Sequence, residues 1–421
     1  MTTNSELSKS ELATLRALAR RKVELASHPD NLERKTEWLR HDSGKSGRPL
    51  VLAEHGGIHD ARLPIPEAAF QCVDPWARSI ERGLRHELYC FETLKDDHVI
   101  EPWVQTNWKI SVSDYGVQTI PHHVDNFAGM GARNWEPALR DLDADFDKLR
   151  PRTFAVDREA TAREKARLEA VFGDILPTRI RGSYWWTFGL TIVAIDLIGL
   201  ENLMLAMYDN PDGLHRLMSF LHDDHLAFAR WLEREGLLTL NNENDYIGSG
   251  SMGYSRALPG ADHVPGAPAR MQDLWLLLES QETVGVGPEQ FEDFIFPYQL
   301  SLARHFGRVY YGCCEPVHTR WHVLKRLPNL ARVSVSPWAD EAFLAAGFAN
   351  DVVFSRKPNP SLISTERFDE TALRADLRQT LTTARNCRVE LIMKDVHTLN
   401  NEPERLPRWV QLAREAIAET R

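Results

Sequence analysis

The hydrophobic pattern of the first 45 residues is helical. Apolar residues recur at helical spacing within residues 8–26, at Leu12, Leu15, Leu18 and Ala19. Ser8 and Glu11 have the spacing of a capping box, which predicts that a helix begins there. A polar terminal helix with an apolar stripe often packs on a partner subunit, so we predict a homodimer through this arm. A mobile terminus is the alternative interpretation.

From residue 176 onward, short apolar runs alternate with segments of helical period. Residues 211–236 and 288–306 have the helical period. The strand-like runs are residues 179–186, 237–241, 274–278, 308–314, 331–336, 351–355 and 389–394. This alternation favours a parallel sheet with crossover helices. A doubly wound open sheet is the alternative, but no glycine-rich phosphate loop follows any of these runs.

The seven runs and one more near Trp103 would close a ring of eight strands. We therefore predict an α/β fold, a (β/α)8 TIM-type barrel with an N-terminal helical extension. The expected division places a helical arm and irregular extension in residues 1–75 and the barrel in residues 76–421.

The charge balance narrows the classes of partner. The 421 residues include 50 Lys and Arg against 60 Asp and Glu, a net charge of −10, which is the opposite of a polyanion binder. We expect no nucleic-acid partner. No apolar stretch approaches 18 uncharged residues, so we expect no membrane span. Because the N-terminus lacks a basic start and an apolar run, we expect a cytoplasmic protein. Five scattered cysteines do not suit a disulfide framework.

Polar residues follow nearly every strand-like run. In a TIM-type barrel the reactive groups lie at the C-terminal ends of the strands, which makes these positions candidates for chemistry. Adjacent Cys313 and Cys314 precede Glu315, and Lys394 and Asp395 close the last run. The other polar or aromatic candidates at or near strand ends are Trp186, Asn242, Tyr246, Tyr254, Glu279, Glu282 and His397.

Two motifs carry a family resemblance. Residues 311–316 (YGCCEP) and 329–340 (NLARVSVSPWAD) resemble the uroporphyrinogen decarboxylase-like superfamily, in its branch of corrinoid-dependent methyltransferases and O-demethylase methyltransferase components. Residues 196–201, 208–211, 245–250 and 393–398 support the same placement. The resemblance runs from about residue 75 to the C-terminus. The arginine-rich N-terminal motif of the true decarboxylases is absent, and a substrate with four acetates would need several positioned cations, so we do not expect porphyrinogen decarboxylation.

The resemblance implies a zinc site. The related methyltransferases bind zinc through a His-x-Cys pair after one strand and another ligand after the last. Here Tyr311 or Gly312 takes the histidine position, depending on which cysteine matches. A mixed set of sulfur, nitrogen and oxygen ligands still suits zinc. The expected ligands are Cys313, Cys314, Glu315 and His397, with Asp395 as the alternative after the last strand.

The implied reaction moves a methyl group between a small methylated substrate, with methoxylated aromatics first, and the corrinoid of a separate carrier protein. Zinc would act as a Lewis acid, and the chain lacks a corrinoid-binding signature of its own. The expected catalytic residues are Glu279, Glu282, Lys394 and Asp395, and the expected substrate-binding residues are Trp186, Asn242, Tyr246 and Tyr254. The direction of transfer stays open. The alternatives are a metal-independent decarboxylase or lyase that uses Lys394 and Asp395, and a catalytically idle scaffold for the carrier.

Overall fold

The computed structural model describes residues 7–44, 47–123, 133–182 and 186–420. The strands in these ranges are β1 (Leu50–Ala53), β2 (Val104–Thr106), β3 (Lys109–Val112), β4 (Ile120–His123), β5 (Arg133–Glu136), β6 (Phe154–Asp157), β7 (Thr178–Ile180), β8 (Tyr246–Gly248), β9 (Ser251–Met252), β10 (Trp275–Leu278), β11 (Arg308–Tyr311), β12 (Leu330–Val335), β13 (Val353–Arg356) and β14 (Val389–Met393).

A parallel sheet of six strands forms the centre, in the order β1-β14-β13-β12-β11-β10. Strands β10, β13 and β14 are buried along their whole length, as expected where both faces of a parallel sheet are covered. Strands β2 and β7 form a separate parallel pair. Within the described ranges the hydrogen-bonded ladder is open between β10 and β1, so the fold is α/β and its closure into a barrel stays a prediction.

The helices pack around the sheet and between the strands. In the described part of the chain they are α1 (Lys9–Ala26), α2 (Pro29–Asp42), α3 (Pro75–Tyr89), α4 (Leu142–Asp145), α5 (Arg158–Phe172), α6 (Thr191–Ile198), α7 (Leu200–Asp209), α8 (Pro211–Arg234), α9 (Pro288–Phe294), α10 (Phe296–Ala303), α11 (Trp321–Leu324), α12 (Glu341–Phe348), α13 (Ser361–Ser364), α14 (Glu370–Thr383) and α15 (Arg405–Thr420). None of them alone is long and apolar enough to cross a membrane, although the bent pair α6 and α7 together reaches that length and composition.

The local signals of the sequence explain several boundaries. Helix α8 begins at Pro211, and the side chain of Asn210 accepts a hydrogen bond from the Gly213 N–H as its cap. The predicted helix over residues 288–306 is divided at Ile295, since Pro297 lacks the N–H that a continuous helix would need.

Residues 237–241 do not form the predicted strand. The Asn241 side chain, rather than a neighbouring strand, bonds the backbone of Trp275: its amide donates to the Trp275 carbonyl at 3.1 Å and its oxygen accepts from the Trp275 N–H at 2.8 Å. Side-chain bonds of this kind compete with a sheet ladder.

The N-terminal arm has the predicted cap but packs on its own chain. The Ser8 hydroxyl accepts from the Glu11 N–H, and the Glu11 carboxylate accepts from the Ser8 N–H, so the capping box is confirmed. Leu15 and Ala19 are fully buried in a cluster with Leu84 of α3 and other residues of α3 and α5. The stripe that suggested a homodimer is therefore covered within the chain, and the homodimer stays a prediction without that support.

The division of the chain at residue 75 also stays a prediction. Strand β1, which lies inside the segment predicted as arm and extension, pairs with β14 in the central sheet, from Leu50 opposite Glu390 to Ala53 opposite Met393. The central sheet therefore takes one of its strands from the first 75 residues.

Candidate functional site

Two thiols and a carboxylate meet at the carboxyl edge of the central sheet. Strand β11 ends at Tyr311, and Gly312 then takes a φ of +95°, a conformation that favours glycine. The turn that follows places the Sγ atoms of Cys313 and Cys314 3.6 Å apart. The Cys314 Sγ also lies 3.9 Å from Oδ2 of Asp395, which follows β14. Three predicted site residues are thus brought together.

The two thiols differ in environment. Cys313 is buried and Cys314 is exposed. Their contact raises the pKa of Cys313 well above its usual range, and burial adds to that shift. The same contact lowers the pKa of Cys314. Cys314 is therefore the thiol of the pair that ionises first, and the Cys313 thiol is placed to donate to it.

A cation lies beside the thiols. The Lys394 Nζ is 3.7 Å from Oδ1 of Asp395. Burial acts to lower the pKa of Lys394, but the neighbouring Tyr246, Cys313, Glu54 and Asp395 together raise it above the ordinary value. Lys394 is therefore an ammonium group at neutral pH. It can stabilise negative charge at this edge, but it cannot serve as a base there.

Two groups that the sequence analysis did not select complete this edge. Burial raises the pKa of Glu54, which directly follows β1. Burial lowers the pKa of Lys357 to about 7, and the Lys357 Nζ donates to the Tyr310 hydroxyl at 3.0 Å and to the Ser355 Oγ at 2.8 Å. Glu54 was missed because β1 itself was not predicted. Lys357 directly follows β13, and a position directly after a strand could have marked it as a candidate site residue.

Glu315 supports the turn instead of reaching the thiols. Its Oε1 accepts from the Ser280 N–H at 2.9 Å, and its Oε2 accepts from the Cys313 N–H at 2.8 Å. Both carboxylate oxygens are thus bound to backbone amides, because the side chain folds back under the turn. In this arrangement Glu315 fixes the Cys313 backbone and does not point a free oxygen toward the predicted metal site, which differs from the expected ligand set.

The other two predicted acids lie on the loop after β10. Glu279 is fully buried, and burial together with Glu282 and Glu315 raises its pKa well above the usual range. Its Oε2 accepts from the Gln281 N–H at 2.9 Å, and its Oε1 has no hydrogen-bond partner in the described ranges. Glu282 accepts from the Thr191 hydroxyl at 2.8 Å. Within the described ranges neither carboxylate is hydrogen-bonded to the two thiols or to Lys394, although the charge of Cys313 contributes to the raised pKa of Glu279.

Three further predicted residues have contacts with groups other than the thiols. The His397 ring is exposed and stacks on His59, with 6.2 Å between ring centroids. Tyr254 is buried and donates to Oε1 of Glu101 at 2.7 Å, which gives it a structural partner in place of a substrate. The Asn242 amide donates to the Leu258 carbonyl at 2.7 Å.

Two of the expected substrate-binding residues line the same cavity. Trp186 and Tyr246 both line a cavity of about 320 Å³, whose wall also includes Arg181, Asn244 and Asp245. Partial burial and the nearby Glu54 raise the pKa of Tyr246 to about 12, so its phenol is protonated at neutral pH. This cavity can hold a small ring compound beside a hydrogen-bond donor.

A second group of side chains that could hold a metal ion lies near the end of β1. His55, His86 and Cys90 place one ligand atom each within 4.8 Å of one another, and so do Cys90, Asp96 and His98. The sequence analysis missed this group because its members come from three separate segments. The available signal was the spacing of His86 and Cys90, which puts both on one face of a helix.

The comparisons with known proteins give similarities in structure alone. The chain matches no known protein-family model, and no curated protein matches it. A solved structure of a methyltransferase from Methanosarcina mazei is similar over 92% of this chain and 98% of its own, with 13% identity and a TM-score of 0.48. A similarity of that size does not establish a shared activity.

Proposed function

We propose that this chain is a methyltransferase that moves a methyl group between a small methylated substrate and the corrinoid of a separate carrier protein. The single observation that carries the proposal is the meeting of the Cys313 and Cys314 thiols with the Asp395 carboxylate at the carboxyl edge of a parallel sheet. The motif resemblance of residues 311–316 and 329–340 supports it.

The proposal includes a closed barrel. The first strand, β1, lies beside the last strand, β14, as the closing of a ring requires. The parallel pair β2 and β7 would supply the two strands between β1 and β10. The ring would then hold eight strands, and the thiols would lie at its C-terminal end, where barrel enzymes hold their reactive groups.

The donor set at this edge fits zinc. Two thiolates bound to one tetrahedral zinc ion lie roughly 3.8 Å apart, given zinc–sulfur bonds near 2.3 Å. The Cys313 and Cys314 sulfur atoms are 3.6 Å apart, and the Cys314 Sγ is 3.9 Å from the nearest Asp395 oxygen. These three residues would hold the metal. When bound, zinc would supply Lewis-acid stabilisation of the substrate heteroatom.

Residues around the thiols would stabilise the negative charge on the leaving oxygen and donate a proton to it. Breaking a methyl–oxygen bond leaves negative charge on the oxygen while the methyl group passes to the corrinoid. The Lys394 ammonium lies at the same edge as the thiols and favours that charge. Glu54, whose pKa is raised by burial, and the protonated phenol of Tyr246 are the groups that can donate a proton or hydrogen bond to the leaving oxygen.

The cavity beside Tyr246 suggests the substrate class. Trp186 and Tyr246 provide aromatic surface, and Arg181, Asn244 and Asp245 provide polar groups. A methoxylated aromatic compound matches that mixture, because its ring can pack on the aromatic side chains while its oxygens find hydrogen-bond partners. The same chemistry would serve a transfer in the opposite direction.

One observation favours a second candidate, a metal-independent lyase or decarboxylase. The buried Lys357 has a pKa of about 7, the range in which an amine can act as a base or nucleophile. The expected base of this alternative, Lys394, has a raised pKa and stays protonated, so Lys357 would have to replace it.

The deciding experiment presents the full chain with a corrinoid carrier in the cob(I)alamin state and a panel of methylated compounds, with methoxylated aromatics first. Formation of methylcobalamin is followed by absorbance. We expect transfer from at least one compound, nearly complete loss in Cys314→Ser, and wild-type rates in Cys387→Ser, whose cysteine lies elsewhere and donates to the Ala345 carbonyl. Absence of transfer from every compound, with the protein folded and loaded with zinc, would reject the proposal.

A further inference from the structure

We propose that His55, His86 and Cys90 form a second metal site that binds a zinc-class divalent cation, with the Asp96–His98 pair beside its thiolate. The site is separate from the Cys313 and Cys314 pair and does not depend on the proposed function. It lies at the end of β1, against helix α3.

Two segments of the chain place the three ligands. His55 follows β1, while His86 and Cys90 stand four residues apart at the end of α3 and therefore share one face. The His55 and His86 rings have their centroids 4.3 Å apart, and the Cys90 Sγ is 3.9 Å from Nε2 of His86. A nitrogen and a sulfur bound to the same tetrahedral zinc ion lie roughly 3.6 Å apart. The side chains are therefore close to ligating distance before any metal binds.

One of the imidazole nitrogens lacks a partner. The Nε2 atom of His55 is buried and makes no hydrogen bond within the described residues. A buried polar atom without a partner costs free energy, which a bound metal would recover.

The backbone at Cys90 is unusual. Residues Cys90–Leu94 form a single π-helical turn at the end of α3. Such turns widen a helix locally and recur at functional sites. Here the turn carries the buried Cys90, whose Sγ belongs to both groups of converging ligand atoms.

Asp96 and His98 support the site from its other side. Oδ2 of Asp96 lies 2.6 Å from Nδ1 of His98 and accepts from the Ala53 N–H at 3.0 Å. A carboxylate that is hydrogen-bonded to one ring nitrogen fixes the orientation of the imidazole. Carboxylates commonly play this supporting role around metal centres. His98 therefore faces Cys90 in a fixed orientation. The hydrogen bond from the Ala53 N–H to Asp96 attaches this pair to the end of β1.

The site has room for a further ligand. A cavity of about 180 Å³ is lined by His86, Cys90, His98 and Tyr246, among other residues. Three protein ligands with an open position are typical of catalytic zinc sites, whereas structural sites are closed by four. Tyr246 and Asn244 also line the larger cavity beside Trp186, so the two cavities share part of their walls.

A different chemistry has to be separated from metal binding. Cys90, His98 and Asp96 also have the thiol, imidazole and carboxylate order of a nucleophilic cysteine site. That interpretation leaves the approach of His55 and His86 to the same thiol without a role, whereas metal binding uses both.

The test counts metal ions in the purified full chain after equilibration with Zn²⁺ and dialysis. Cys90→Ser, His86→Asn and His55→Gln place one change on each ligand, and Cys387→Ser is the matched control. We expect each ligand variant to lose about one equivalent of zinc per chain and the control to lose none. Each protein is checked for folding by circular dichroism, and only folded variants are compared.

The double variant C313S/C314S separates this inference from the proposed function. It should keep the equivalent of zinc that Cys90 binds and lose the other. If the double variant loses no zinc while Cys90→Ser loses all of it, the second site stands and the metal of the proposed function is rejected. If the folded Cys90, His86 and His55 variants all keep wild-type zinc, the second site is overturned. Substitution with Co²⁺ gives an independent readout, because a thiolate-to-cobalt absorption band that is present in C313S/C314S and lost when Cys90→Ser is added must come from Cys90.

Discussion

The sulfur atoms of Cys313 and Cys314 lie 3.6 Å apart, although the two residues are neighbours in the chain. In an extended strand, consecutive side chains point to opposite faces, which would separate the two thiols. Here the strand ends earlier, at Tyr311, and the left-handed conformation of Gly312 starts a turn. The two thiols therefore touch each other at the end of the strand, with Cys313 buried and Cys314 exposed.

This pairing predicts that both cysteines contribute to metal binding. We expect Cys313→Ser and Cys314→Ser each to lose the zinc of this site and nearly all methyl transfer, because serine is a far weaker ligand than a thiolate near neutral pH. The double variant should be no worse than either single variant. Metal analysis and the transfer assay measure both effects. Full zinc occupancy in one folded single variant would leave the other cysteine as the only ligand of the pair.

Glu315 was expected to be a metal ligand, but in the structure it bonds the backbone of the turn, and a substitution can test which role it has. Its carboxylate accepts from the Ser280 and Cys313 backbone amides. We expect Glu315→Gln to keep its zinc but to lose about 1.5–3 kcal/mol of the free energy of unfolding, the usual cost of a lost buried hydrogen bond to a charged group. Urea denaturation and metal analysis on the same preparation decide this. Loss of zinc without loss of stability would return Glu315 to the ligand set.

The sequence predicted those features that depend on local signals. The capping box of Ser8 and Glu11 forms as expected, and a helix follows Asn210 and Pro211. Five of the seven predicted strands after residue 176 lie in the central sheet. Residues 237–241 fail as a strand because the Asn241 side chain bonds the Trp275 backbone, a long-range choice that apolar patterning does not encode.

The arrangement of the site was less predictable from the sequence. The direction of each side chain depends on single backbone angles and single hydrogen bonds, which the apolar pattern does not reveal. The position of both thiols depends on the φ of Gly312, and Glu315 turns back to the backbone instead of outward. His397, the expected ligand after the last strand, stacks on His59. The group around Cys90 joins three segments that only the folded sheet brings together, and its first member follows β1, a strand of four residues that periodicity alone does not reveal.

The N-terminal arm provides a test of packing. Leu15 is fully buried against helices α3 and α5 of the same chain. We expect Leu15→Ala to lower the free energy of unfolding by about 2–5 kcal/mol, since it removes buried methyl groups and leaves a cavity. Leu32→Ala, at an exposed position on α2, is the control and should cost far less. The comparison uses chemical denaturation, with sedimentation to follow assembly. A change from dimer to monomer with unchanged stability would instead support the homodimer through the arm.

The buried ring of His41 predicts how stability depends on pH. His41 lies on α2 with its Nε2 3.0 Å from the Val389 carbonyl, and burial lowers its pKa to about 4. In the unfolded chain the pKa of a histidine is about 6.5, so the unfolded state takes up the proton first as the pH falls. The contribution of His41 to stability is therefore fully present above pH 6.5 and is lost progressively between pH 6.5 and pH 4. The loss amounts to about 3 kcal/mol, since one pKa unit corresponds to about 1.4 kcal/mol.

Replacing His41 with glutamine removes this titration and keeps a donor for the Val389 carbonyl. We expect His41→Gln to be less stable than the wild type at pH 7.5, because glutamine packs less well in the ring's site, and the gap should narrow or reverse at pH 4.5. The exposed His28, changed to Gln, is the matched control and should leave the pH profile of the wild type unchanged. Other buried histidines titrate in both proteins, so the difference between the two profiles isolates His41. Urea denaturation at half-unit steps from pH 4.5 to pH 7.5 measures the two slopes, and parallel profiles for wild type and His41→Gln would show that this ring is not held neutral by burial.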